Sequence, residues 1–259
     1  MENNKKRVIL GLDISTACTG VSIVTAEEGK DLKVEFIGHC KFKSNNKVKG
    51  TESLFQKSRY FGEEFINQHN IGFTDIVIEE PLPNSQNRNT LTGLLRFNGM
   101  LSQSIYEKTG IVPQYISSYD ARRFAFPELI AVRKFNKKGE IYPEKHIYTA
   151  LKKSDITLFG GYAWDVNKKD ILWNLVSDKF PYIDWVYNKK GELVKENYDA
   201  SDSLVCALGF LSKEKYDGTE PVVNNIDIQS DGNEGKIYTY TFNFAGQDIT
   251  KNIYIPKSI

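Results

Sequence analysis

The 259-residue sequence is poor in cysteine and histidine, with three of each. Because Cys18, Cys40 and Cys206 are odd in number and widely separated, they predict neither a disulfide framework nor a zinc knuckle. A reducing, cytoplasmic compartment is therefore expected. The sequence also has no apolar run long enough to span a bilayer, so no membrane partner is expected.

Net charge is almost absent as well, since 34 basic residues offset 33 acidic ones to leave +1. That total gives no support for a nucleic-acid partner. The local distribution is uneven, however. Residues 41–59 contain six basic residues and one acid, and residues 133–153 contain seven and two. Residues 216–248 contain six acids and one lysine.

The apolar pattern predicts an α/β protein. Short apolar runs predict five strands, at residues 8–12, 21–24, 34–37, 76–78 and 112–116. Apolar residues at helical spacing predict four helices, at residues 51–68, 90–106, 169–180 and 200–211. We expect a core domain over residues 1–212, with an enlarged basic segment at about 124–166. A β-rich extension over residues 213–259 follows, with a hairpin at 237–244 and 249–255.

Four acidic side chains fall at the ends of these elements. Asp13 follows the first strand, Glu79 follows the fourth, and Asp199 and Asp202 lie at the start of the last helix. Residues three apart project from one helix face. If the first and fourth strands are neighbours, all four carboxylates converge where the last helix packs on the sheet. Structural roles stay open for each: a turn for Asp13, a solvated strand end for Glu79, and helix-dipole complementation for the other two.

A carboxylate cluster of this kind predicts hard metal ions. Carboxylates that share a small volume raise one another's pKa unless a cation neutralises them. An oxygen-only set, without paired His or Cys, favours Mg²⁺ or Mn²⁺ over zinc. Two such ions roughly 4 Å apart form the usual clamp for in-line displacement at phosphorus. The pattern therefore predicts metal-dependent hydrolysis of phosphodiesters.

Three motifs resemble those of RuvC-type nucleases of the RNase H-like superfamily. They are GLDIS at residues 11–15 with Gly20, DIVIE at residues 75–79, and DASDSL at residues 199–204 with Ala207. The resemblance covers residues 7 to about 212. It implies an RNase H-like mixed five-stranded sheet flanked by helices. It also implies a Holliday junction resolvase, a homodimer that makes paired symmetrical nicks in four-way or branched DNA and leaves 5′-phosphate ends.

The resemblance also implies roles for individual residues. Asp13, Glu79, Asp199 and Asp202 would hold two Mg²⁺ ions, with Mn²⁺ as an expected substitute. Lys169 resembles a catalytic-site lysine that opens a family helix and stabilises charge on the scissile phosphate. The local charge distribution, and not the resemblance, predicts most of the DNA-binding cations, because phosphate contacts need local cations and not a basic total. The cations expected to bind DNA are Arg122, Arg123, Arg133, Lys134, Lys137 and Lys138, together with Lys168 beside Lys169. The cytoplasm of a bacterial or phage-infected cell is the expected location.

The sequence departs from the family in the long segment at 124–166, in the loop after Glu79 and in the C-terminal hairpin. Three other functions therefore stay open. The first is a nuclease acting on flaps, branched DNA or RNA–DNA hybrids. The second is an actin-like ATPase or sugar kinase, although no second Asp-x-Gly phosphate loop follows a strand at a matching place. The third is a junction-binding module without catalysis.

Overall fold

A computed structural model describes residues 6–42, 48–69, 71–81, 88–127, 130–132, 147–149, 168–216, 223–231, 235–244 and 247–256. The chain forms two compact units. The first comprises Met1–Ser118 and Leu172–Ala207, and the second comprises Tyr119–Ile171 and Leu208–Ile259. The domain boundary expected at residue 212 stays a prediction. In the described part of the chain, no helix is long and apolar enough to cross a membrane.

The first unit is built on a mixed five-stranded sheet. Its strands are β1 (Arg7–Ile14), β2 (Cys18–Ala26), β3 (Lys33–Lys41), β4 (Asp75–Glu79) and β5 (Gln114–Ile116). The spatial order is β3-β2-β1-β4-β5. Strands β1 to β3 are antiparallel neighbours, whereas β4 runs parallel to both β1 and β5. All five expected strands are present, and the predicted α/β fold class is confirmed.

Helices on one face of the sheet bury its main apolar core. They are α1 (Gly50–Tyr60), a π-helical turn at Phe61–Phe65, α2 (Ile66–His69) and α3 (Arg88–Thr109). Phe97, Leu101 and Ile105 recur at four-residue intervals along α3, so they lie on one face of that helix and are fully buried. They pack in a cluster with alternate residues of β1, namely Val8, Leu10, Leu12 and Ile14. The expected helices at 51–68 and 90–106 are confirmed.

Two further helices are α5 (Lys168–Lys179) and α6 (Glu196–Lys213), which confirm the last two expected helices. Within the first unit, α6 covers β1 and β2 at very short range. A Cβ added to Gly11 would lie 2.3 Å from the carbonyl oxygen of Ser203, and one added to Gly20 would lie 1.9 Å from that of Asp199. Glycine at both positions is therefore a steric requirement of the helix–sheet packing. Residues 200–207 of α6 are all buried, and the small residues Ser203 and Ala207 lie where the helix meets Gly11.

The second unit contains a short helix, a pair of short strands and a three-stranded antiparallel sheet. The helix is α4 (Ser118–Ala125), which belongs to this unit except for its first residue. The short strands are β6 (Ile130–Val132) and β7 (Ile147–Thr149). The sheet consists of β8 (Val223–Asp231), β9 (Gly235–Phe244) and β10 (Gln247–Pro256), with β9 in the centre. The β9–β10 hairpin was expected, whereas α4, β6, β7 and β8 were not. Most of the enlarged segment at 124–166 lies outside the described residues.

The close approach of α6 to the sheet predicts how a substitution at Gly11 changes the stability of the protein. Gly11→Ala should lower the free energy of unfolding by about 1–3 kcal/mol, because the new methyl group overlaps the Ser203 carbonyl and the Ser22 hydroxyl. Gly99→Ala is the control. Gly99 is an exposed residue of α3 whose added Cβ meets no described atom within 4 Å, so alanine should stabilise the helix by about 0.5–1 kcal/mol. Urea denaturation measures both, and equal stability of the Gly11 variant and the wild type would contradict the packing.

Candidate functional site

Asp13 and Glu79 end two neighbouring parallel strands. Leu12 of β1 pairs with Ile78 of β4, and both side chains belong to the core beneath α1 and α3. Because successive strand residues point to opposite faces, the next residue of each strand is directed to the face that α6 covers. Asp13 and Glu79 are both half-buried and line one small cleft of about 280 Å³ at the end of the sheet.

The first turn of α6 lies directly beside Asp13. Gly20 is the partner of Asp13 in the β1–β2 ladder, and it is Gly20 that contacts the backbone of Asp199. Two turns further along the helix, the thiol of Cys206 lies 3.8 Å from a carboxylate oxygen of Glu79. Asp202 stands one turn before Cys206 and is only 9% exposed. The four predicted carboxylates are therefore carried to the same end of the sheet.

Two contacts fix the backbone around these acids, and sequence reasoning identified neither. The hydroxyl of Ser15 donates to the carbonyl of Cys18 at 2.6 Å and accepts from its amide at 3.1 Å, which closes the turn after Asp13. Lys41 of β3 forms a 2.8 Å ion pair with Glu196, in the first turn of α6. The hydrogen bond from Lys41 is the main cause that lowers the pKa of Glu196. This ion pair links the start of α6 to the edge strand of the sheet.

The pKa of the Cys18 thiol is raised by burial and by the negative charge of the site. Burial is the largest cause that raises its pKa from 9.0 to about 11, and the carboxylates of Asp199 and Glu196 raise it further. Asp13 adds to the same effect, while Lys41 opposes it. Cys18 is therefore a neutral thiol at physiological pH, held next to several carboxylates.

The carboxylates suit a hard divalent cation in their donor chemistry, since carboxylate oxygens are the donors that Mg²⁺ prefers. Among the described residues, however, no three His, Cys, Asp or Glu side chains lie close enough together to form a metal-binding group. The acids are thus gathered at one end of the sheet without a closed ligand set. Repulsion between ionised carboxylates opposes such closure unless a cation is bound.

The cations predicted to act in catalysis or DNA binding belong to the second unit of the chain. Lys168 and Lys169 are in the first turn of α5, where the side chain of Lys169 is exposed. Arg122 and Arg123 lie in α4, and Arg123 is in a 3.0 Å ion pair with Asp120. The remaining four, Arg133, Lys134, Lys137 and Lys138, lie outside the described residues. A DNA-binding role stays a prediction for the seven of these residues other than Lys169, and the catalytic role of Lys169 stays a prediction as well.

Comparison with known proteins gives no match to a family model and none to a curated protein. Among solved structures, Thermus thermophilus RuvC in complex with a Holliday junction substrate is 9% identical, with a TM-score of 0.47, covering 78% of this chain and 91% of that one. The yeast mitochondrial Holliday junction resolvase Ydc2 is 12% identical, with a TM-score of 0.46, covering 78% and 77%. The Aquifex aeolicus PPX-GPPA enzyme is 10% identical, with a TM-score of 0.31, covering 97% and 53%.

The raised pKa of Cys18 predicts how stability depends on alkaline pH. A thiol with a higher pKa in the folded than in the unfolded protein contributes stability that is complete below pH 9.0 and is lost as pH rises towards about 11. The free energy of unfolding should therefore fall less steeply between pH 9 and 11 in Cys18→Ala than in the wild type. Denaturation at a series of pH values measures both slopes. Parallel slopes would show that the thiol is not held neutral by its surroundings.

Proposed function

We propose that this protein is a metal-dependent endonuclease that cleaves branched DNA and resolves four-way junctions by paired nicks. The observation that carries the proposal is the contact between Gly20 and the first turn of α6, which brings Asp199 beside Asp13. Glu79 lies next to Asp13 on the neighbouring strand, and Asp202 follows on the same helix. Acids from three separate parts of the sequence are carried at one end of the sheet, where two bound metal ions would support hydrolysis of phosphodiesters.

Asp13, Glu79, Asp199 and Asp202 are the residues that would hold two Mg²⁺ ions. When bound, the ions supply an activated water and stabilise charge on the leaving oxygen. The chain itself contributes the placement of the acids, through the glycine contacts and the Lys41–Glu196 ion pair. Lys169 is proposed to stabilise charge on the scissile phosphate, and Mn²⁺ is proposed to replace Mg²⁺.

Substitution of one carboxylate tests the chemistry. Asp13→Asn keeps the size of the side chain and removes its charge, so Mg²⁺-dependent cleavage of a synthetic four-way junction should fall by more than about 100-fold. Asp31→Asn is the matched control, because Asp31 is an exposed residue of the β2–β3 connection and should leave cleavage unchanged. Labelled-strand gels measure both rates. Full activity of the Asp13 variant would exclude the proposed site.

Comparison of substrates tests the proposed specificity. A resolvase should cleave a four-way junction into two nicked duplexes with 5′-phosphate ends, faster than it cleaves a flap or an RNA–DNA hybrid of the same sequence. Paired nicks need two active sites, so the active species should sediment as a homodimer. Faster cleavage of the flap or hybrid would assign the alternative nuclease activity. Binding of ATP without cleavage of any of these substrates would instead favour the ATPase class.

A further inference from the structure

A second cleft of the first unit adjoins the carboxylate site. It has a volume of about 780 Å³ and is lined mainly by the first turns of α1 and α3. Thr90, near the start of α3, lines both this cleft and the smaller one that contains Asp13 and Glu79. Thr16, in the turn after Asp13, also lines the larger cleft. The two clefts therefore adjoin at Thr90.

The lining of the larger cleft is cationic and polar. Its charged side chains are Lys49, Lys57 and Arg96, and none of the described residues that line it is acidic. Between these cations stand hydroxyl and amide groups, contributed by Thr16, Thr51, Ser53, Asn89, Thr90 and Thr92. Cations together with hydroxyl and amide donors are the groups that proteins present to the phosphates of nucleic acids.

The described cations of the basic block at residues 41–59 differ in whether they form ion pairs. Lys41 and Arg59 are each in an ion pair, with Glu196 at 2.8 Å and with Glu63 at 2.9 Å. Lys49, in contrast, forms no ion pair with any described residue, and the same holds for Arg96 of α3. The cations that line the cleft are thus those whose charge remains available to a ligand.

Lys57 holds the wall of the cleft in place. Its ammonium group donates a 2.6 Å hydrogen bond to the carbonyl of Thr16 and lies 5.9 Å from the centre of the Phe42 ring. These contacts fix the turn that follows Asp13 against α1. Lys49 is the residue immediately before α1, and its side chain forms no cap hydrogen bond to that helix. The first turn of α1 therefore presents, at the same wall, amide donors that have no partner within the helix itself.

We infer that this cleft binds the phosphodiester backbone of the DNA strand whose scissile phosphate lies at the carboxylates. The inference rests on the proposed nuclease function and adds a location for the substrate strand. A polyanion would be repelled by the carboxylate end of the sheet, and the adjoining cations offset that repulsion. A strand that passes Thr90 lies along both clefts, with Lys49 and Arg96 at its flanking phosphates.

The test measures binding of a labelled four-way junction by fluorescence anisotropy, with Ca²⁺ in place of Mg²⁺ to suppress cleavage. The double variant Lys49→Ala/Arg96→Ala should bind about 10- to 100-fold more weakly than the wild type. It should also reduce the slope of log affinity against log salt by about two, because two phosphate contacts are lost. Both residues are exposed, so circular dichroism should show an unchanged fold.

Arg59→Ala provides the matched control, since Arg59 lies on the same helix but is paired with Glu63 and does not line the cleft. This variant should keep wild-type affinity and salt slope. If the wild type binds and cleaves DNA but the double variant behaves like the control, the cleft assignment fails and the nuclease proposal stands. If the wild type neither binds nor cleaves DNA, both fail. If the double variant loses binding of ATP and keeps binding of DNA, the cleft is a nucleotide site and the inference is overturned.

Discussion

The close contact of α6 with β1 and β2 is the constraint on which the rest of the site depends. At Gly11 and Gly20 the helix backbone lies so near the sheet that a single methyl group would overlap a carbonyl oxygen. Any larger residue would push the helix outward, and the acids of its first turns would move away from Asp13. Glycine at these positions therefore serves to position Asp199 and Asp202, although the glycines carry no chemistry of their own.

This packing also explains why so many ionisable groups can share one end of the sheet. Glu196 is paired with Lys41, so one acid of the α6 first turn is neutralised within the unit. Cys18 is a neutral thiol, and burial and the neighbouring carboxylates raise its pKa further above the neutral range. The ion pair therefore reduces the repulsion between negative charges around Asp13, and the neutral thiol adds no negative charge there. If the proposed metal ions bind, their charge would draw together the remaining carboxylates, which otherwise repel one another.

Much of the first unit could be predicted from the sequence, because its elements have strong apolar periodicity. The runs that form β1 and β4 and the helical spacing in α3 and α6 mark those elements directly, and the acids at their ends follow from the same pattern. The pairing of Lys41 with Glu196 could not be predicted, since the two residues are far apart in sequence and come together only in the folded unit. Strand β8 was missed because it has only three apolar residues, Val223, Ile226 and Ile228, and the polar and acidic residues between and after them are typical of a loop. Helix α4 was missed because it is short, at eight residues, and mostly polar.

The near-zero net charge of the chain does not argue against binding of a polyanion at this site, because binding depends on the local distribution of charge. Under the proposed function, a phosphodiester would approach a group of carboxylates, and bound metal ions would neutralise that group only at the scissile phosphate. Neighbouring phosphates need cations of their own, at a distance set by the strand and not by the metals. In our proposal Lys49 and Arg96 would meet that need, because none of the described residues that line their cleft is acidic. The charge of Arg59, in contrast, is neutralised by its ion pair with Glu63. Affinity for a polyanion thus depends on which cations remain unpaired beside the acids, and an overall charge of +1 is compatible with a strongly polarised binding surface.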